Sequence, residues 1–285
     1  MSMQLLDSAQ TFILNNARLL ERHLFAYLFK GGVRQPVVTA LAAYQNADGG
    51  FGNALEPDKR CADSQPIDQE FALRVLDVVG FDESMVRKAC DFLMSITTPE
   101  GGVPFSLPTV RSAPRTPWFD TVDKPPALIN PTASIAGLLY KNKFRHPWLE
   151  KATQFCWQQI DNLQNPNDHD LLCIVLFLEH VPERERAEKA FQDLAPTIIA
   201  HTAFDPHAAG YVKMPLDYAP TPDSICRQLY DEQVIADHLG ALAARQQADG
   251  CWSLTWPAVS PADELEYKGI MTIEALKTLK AYGLL

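Results

Sequence analysis

The sequence has no run of basic residues, no Cys-x-x-Cys pair and no apolar stretch near the ~20 residues that span a bilayer. Each absence excludes something. With 25 Lys and Arg against 35 Asp and Glu the formal net charge is −10, so nucleic-acid phosphate or an anionic membrane surface would be repelled. Six cysteines (Cys61, Cys90, Cys156, Cys173, Cys226 and Cys251) are scattered singly, which reads as free, buried thiols in a reducing compartment. The opening MSMQLLDSAQTFILNN has no basic segment and Asp7 interrupts its apolar stretch, so no secretory signal is expected. The expectation is a cytoplasmic protein with no nucleic-acid partner and no stable membrane insertion. Its oligomeric state is left open.

What is present is a repeat. The tract YQNADGGFGNALEPD begins at Tyr44, and a poorer copy, RQQADGCWSLTW, begins at Arg245. Gly49-Gly50 recur as Gly101-Gly102 and in part as Gly250-Cys251, at separations of 52 and 201 residues. Those are about one and four steps of ~50, the scale of repeat architectures. Two eroded copies fall at residues 162–170 and 203–211. An amphipathic helix precedes each good turn, as in ESMVRKACDFLMSI, where Met85, Val86, Ala89, Phe92 and Leu93 share a face. A helix apolar nearly all round follows, beginning near Phe71, Ala133 and Leu171, with Pro66, Pro131 and Pro166 just ahead. A first helix is expected from Met3 to Lys30.

This unit predicts an all-α chain, residues 1–285 as one domain, in which an inner ring of buried helices sits within an outer ring of amphipathic ones: an α/α toroid. Connections from buried to amphipathic helices are short. Those running the other way, residues 46–65, 97–130, 204–229 and 248–262, are long. Long loops in compact domains usually carry function, so these are expected to form a working face.

The tracts QNADGGFG (from Gln45) and QQADGCWS (from Gln246) resemble the QW-type repeat of the terpenoid cyclase and protein prenyltransferase superfamily. The resemblance implies an α/α toroid with a central cavity for a hydrophobic substrate. The superfamily's catalytic signatures are missing: there is no D-x-D-D, no D-D-x-x-D and no Asp-x-Cys zinc pair. The resemblance therefore implies a scaffold and leaves the reaction open.

Candidate site residues come from the long loops and helix starts. Glu56, Asp58, Asp63 and Asp170 are the candidate acids. Asp170, if aimed into an apolar cavity, should hold its proton more tightly than usual. Arg60, Gln65, Asp168, Trp118, His207, Tyr211, Trp256 and Tyr267 are candidate substrate contacts. Lys59 and Arg115 join Arg60 if the substrate is a diphosphate. Asp68 and Glu70 suit the dipole of a helix start, and Asp168 or Asp170 can cap one. His201, Asp205 and His207 match no compact metal motif, and no metal or cofactor is expected. The leading reading is a protein that binds an isoprenoid-type small molecule, with carboxylic-acid-initiated chemistry. The alternatives are a carbohydrate-active α/α enzyme using paired carboxylates and a non-catalytic ligand- or partner-binding toroid.

Overall fold

A computed structural model describes residues 2–285, with side chains from Gln4 onward. The described residues form twelve α-helices joined by 3-10 turns and isolated bridges, with no strand. The helices divide between two compact units.

The unit formed by Arg34–Asp193 holds α3 (Arg34–Ala42), α4 (Pro66–Val79), α5 (Glu83–Ser95), α6 (Ile129–Lys141), α7 (Pro147–Asp161), α8 (Asp168–His180) and the first half of α9 (Arg184–Ala200). Its centre is α6, buried along almost its whole length and packed on α4, α7 and α8. A side chain at Gly137 would place Cβ 2.6 Å from the Leu176 carbonyl, so α6 and α8 meet backbone to backbone there. The helix starts follow local chemistry. Asp82 caps α5 by accepting the Met85 N–H at 3.1 Å, Pro66 opens α4 and Asn167 forms a capping box with Asp170 on α8.

The second unit comprises residues up to Val33 together with Leu194–Leu285. It holds α1 (Ser2–Asn16), α2 (Leu19–Phe29), the remainder of α9, the four-residue α10 (Pro215–Tyr218), α11 (Glu232–Ala244) and α12 (Pro261–Ala281). Helix α12 packs on α1, α2 and α11. The expected helix from Met3 to Lys30 is two helices, because Arg18 is extended at φ −62° and ψ 162°. Its guanidinium grips Glu21 through Nε at 2.9 Å and Nη2 at 2.7 Å, while Arg22 Nε donates to the Ala17 carbonyl freed by the break at 2.8 Å.

The recurring glycine turn explains itself in the structure. In the first copy the Asn46 N–H donates to the Gly50 carbonyl, in the second Thr98 to Gly102, and in the third Gln247 to Cys251, at 2.8–2.9 Å. Gly49, Gly101 and Gly250 have φ of 88°, 98° and 96°, and a Cβ on each would lie within 3 Å of the carbonyl of Lys88, Lys151 or Ser8. Each turn thus presses on the next amphipathic helix: α5, α7 and α1 in order. Gln45 and Gln246 repeat one further contact. Their Nε2 groups bridge the turn carbonyl (Gly49 or Gly250) and a helix carbonyl (Met85 or Leu5) at 2.8–3.0 Å. The next residue then donates its N–H inward, Phe51 to Gln69, Val103 to Thr132 and Trp252 to Thr272. The eroded copies are built otherwise. Residues 162–170 enter α8 through its capping box, and residues 203–211 are closed by a bridge between Thr202 and Lys213.

Candidate functional site

In the Arg34–Asp193 unit the rich acidic tract folds inward. Asn53 and Ala54 both take left-handed backbone, at φ 55° and 57°, and the chain after them pairs with the second long loop. Thr116 N–H donates to the Asp58 carbonyl and Arg60 N–H to the Pro114 carbonyl, at 2.9 and 2.8 Å. Glu56 and Asp58 are buried. Lys59 and Asp68 are wholly buried and joined by an ion pair, with the other Asp68 oxygen accepting the Glu56 N–H at 2.8 Å. Lys59 is therefore not available to a diphosphate, and Arg115 is engaged by Asp120 at 2.5 Å. Gln65 is also buried, its amide taking the Leu107 N–H and giving to Thr109 Oγ1, both at 2.8 Å. That amide clamps the two long loops together. Asp63 is exposed, Arg60 is half-buried, and Trp118 is exposed on a 3-10 turn whose neighbour Phe119 stacks on Phe105.

Helix α6 packs on both α4 and α8. The Cys173 thiol feels Glu70 and Asp170 electrostatically and contacts Ser134. Glu70 is buried and held by Arg74 at 2.6 Å. Asp170 is half-buried, and desolvation pushes its carboxyl above the ordinary value against the pull of the Asn167 N–H. That is the expected direction, although the same carboxylate also closes the α8 capping box. Asp168 is half-buried on the same turn.

In the other unit, three residues distant in sequence come together. The Tyr211 and Trp256 rings lie 5.6 Å apart at 88°, and Trp256 and Tyr267 lie 5.1 Å apart at 87°. Tyr267 is buried on α12, Trp256 is half-buried and Tyr211 is exposed. Lys213, not singled out from the sequence, places Nζ 4.4 Å from the Tyr211 ring centre and donates to its hydroxyl at 3.2 Å. Beside it, Arg245 Nη2 lies 3.3 Å from Met214 Sδ. Asp217 is exposed and accepts the Met214 N–H at 2.6 Å. His207 is exposed on the same loop, its N–H donating to Asp205 at 2.9 Å. The segment KMPLDY had a legible signal for this cluster, a lysine and an aspartate four residues apart around a proline.

All six cysteines are buried and free. No group of three or more His, Cys, Asp or Glu side chains placed to hold a metal occurs among the described residues, and no helix there is long and apolar enough to cross a membrane.

No family model matches the chain, and no curated protein matches it. Among solved structures it is similar to the crystal structure of a protein from Actinoplanes, at 16% identity over 98% of this chain and 100% of that one, with a TM-score of 0.60. A likeness at that identity concerns the fold alone.

Proposed function

We propose that the chain is a divergent α/α toroid related to the terpenoid cyclases and protein prenyltransferases, and that it binds a hydrophobic, isoprenoid-type small molecule. The three matching glycine turns, each bridged or pressed onto the next amphipathic helix, support the architectural part. The Tyr211–Trp256–Tyr267 ladder carries the functional part. Rings that remain accessible in part, backed by a buried partner, give an apolar chain a rigid surface at low entropic cost. Their faces also favour developing positive charge, by about 0.5–2 kcal/mol per contact.

Mass spectrometry of small molecules co-purifying with the native protein tests this reading, together with quenching of Trp256 fluorescence by farnesol. A recovered prenyl chain, or saturable quenching lost in Trp256→Phe, is the expected result. Neither signal would remove the isoprenoid reading. A carbohydrate reading has one observation in its favour: Asp170, its carboxyl raised by desolvation, and the Arg74-paired Glu70 both act on the Cys173 thiol. Two carboxyls in contrasting environments suit an acid and a base. A co-purifying oligosaccharide would establish that class instead.

A further inference from the structure

The aromatic ladder already holds an alkylammonium, and it is the chain's own. Lys213 Nζ lies 4.4 Å from the Tyr211 ring centre and donates to the Tyr211 hydroxyl at 3.2 Å. The Lys213 backbone is tied at the base of the same loop, its carbonyl accepting the Ala203 N–H at 2.8 Å. The Tyr211 and Trp256 planes meet at 88° with centres 5.6 Å apart, and Trp256 and Tyr267 meet at 87° with centres 5.1 Å apart. A cation lodged in the angle between two such rings lies within the ~6 Å over which a ring quadrupole attracts it. Tyr267 is buried on α12, whereas Trp256 is half-buried and Tyr211 exposed, so the outer two rings keep accessible surface.

We propose that the corner between Tyr211 and Trp256 binds a free tertiary or quaternary alkylammonium ion, and that Lys213 is a resident stand-in which the ligand displaces. The same rings serve the isoprenoid reading, but this site needs no prenyl chain. The exchange favours the ligand because the two cations differ in hydration. A lysine ammonium is compact and strongly hydrated, so it gives up little when it returns from the ring to water. A quaternary ammonium has no N–H to hydrate and presents methyl groups, so it is cheaper to press against an aromatic face. The formal net charge of −10 draws cations to the chain and repels anions. An uncharged ligand of the same shape would gain the ring contact without the quadrupole attraction. No bond forms or breaks in the exchange.

The experiment titrates the full chain with choline and with its uncharged isostere, in which a tert-butyl group replaces the trimethylammonium, at matched ionic strength. Broadening of the ligand methyl signal in proton NMR reads the binding of both. Choline is expected to bind at least tenfold more tightly than the isostere. Tyr211→Phe keeps the ring and should hold choline within twofold of the parent, whereas Tyr211→Leu should weaken it at least threefold and Trp256→Leu at least tenfold. Lys213→Met removes the competitor and should tighten choline at least threefold while leaving the isostere unchanged. Should Trp256→Leu fail to fold, the two substitutions at the exposed Tyr211 decide the matter. Absent choline binding, or choline and isostere binding equally, overturns the proposal, and farnesol quenching that persists then leaves the isoprenoid reading standing. Weaker choline binding in Lys213→Met, or equal losses in Tyr211→Phe and Tyr211→Leu, overturns it as well. Phosphatidylcholine vesicles that sediment the chain while free choline has no effect would give the site to a lipid head group and overturn the assignment to a free ion.

Discussion

Lys59→Met is the sharpest test of how the long loops are held. Lys59 and Asp68 have no exposed surface, and the Asp68 carboxylate takes the Lys59 ammonium on one oxygen and the Glu56 N–H on the other. Removing the ammonium leaves a buried carboxylate without its counter-charge, which costs about 3–5 kcal/mol. Asp68→Asn keeps an acceptor for Glu56 but strands the ammonium, so a loss of about the same size follows. The double variant Lys59→Met/Asp68→Leu removes both charges. It should recover most of the loss, short by about 1–2 kcal/mol for the Glu56 N–H left without its acceptor. Urea unfolding followed by far-ultraviolet circular dichroism and by tryptophan fluorescence gives the three values, provided both probes report coincident transitions with unchanged m. A single substitution costing less than 1 kcal/mol, or a double variant as damaged as the two singles combined, would refute the account of a desolvated, mutually dependent pair.

Three further outcomes follow from the same geometry. Gly250→Ala should lower Tm far more than Gly210→Ala: both have positive φ, but only at Gly250 would Cβ meet backbone, 2.2 Å from the Ser8 carbonyl, while Gly210 has nothing within 4 Å. His180 is pushed down to about 4 by desolvation and by Lys141, with Arg184 adding a little. Its neutral form therefore stabilises the fold fully above pH 6.5, and that contribution, roughly 2 kcal/mol after allowing for partial exposure, is lost as pH falls towards 4, so His180→Gln should flatten the acid limb of a Tm–pH profile. Asp170 is raised, so its stabilising contribution is complete below the ordinary value of 3.8 and is lost as pH rises through its folded value. Asp170→Asn should accordingly raise Tm at pH 7, with the gain fading towards pH 3.8, and a variant destabilised at pH 7 would show that the capping bond outweighs desolvation.

The sequence is legible where backbone geometry restricts residue choice. An Asp-Gly-Gly turn must reverse the chain with positive φ and lie against a helix, so its glycines and the bridging glutamine recur in readable form. Alternating apolar and amphipathic segments likewise mark the helices. The break at Arg18 leaves no such trace, because it contains neither glycine nor proline and is held by side-chain bonds to Glu21 and Ala17. Asp68 shows how a correct local reading can be incomplete: it does lie in the first turn of α4, yet its partner is a buried lysine nine residues earlier. Gln65 carries the same lesson, since its amide is spent on Thr109 and Leu107. Lys213 was passed over because its contact with the Tyr211 ring, and that ring's contact with Trp256, come from tertiary packing.

Burial is unevenly distributed over the aromatic platform. Tyr267 stands on α12, a helix fixed by its Ser260–Asp263 capping box and buried against its neighbours. Tyr211 stands on a segment, residues 204–212, that is exposed over most of its length and is closed at its base by the Thr202–Lys213 bridge. Besides that bridge, its ties include the His238–Phe204 bond and the ring contact with Trp256. A ligand lying on Trp256 would therefore meet a buried wall on α12 and a more exposed arm at Tyr211. Stiffening the arm without touching the rings should tighten binding through a slower off-rate, because the wall on α12 needs no rearrangement. Ala209→Pro would do so only if the local backbone accepts a proline φ, which makes Gly210, at φ 89°, the wrong place to attempt it.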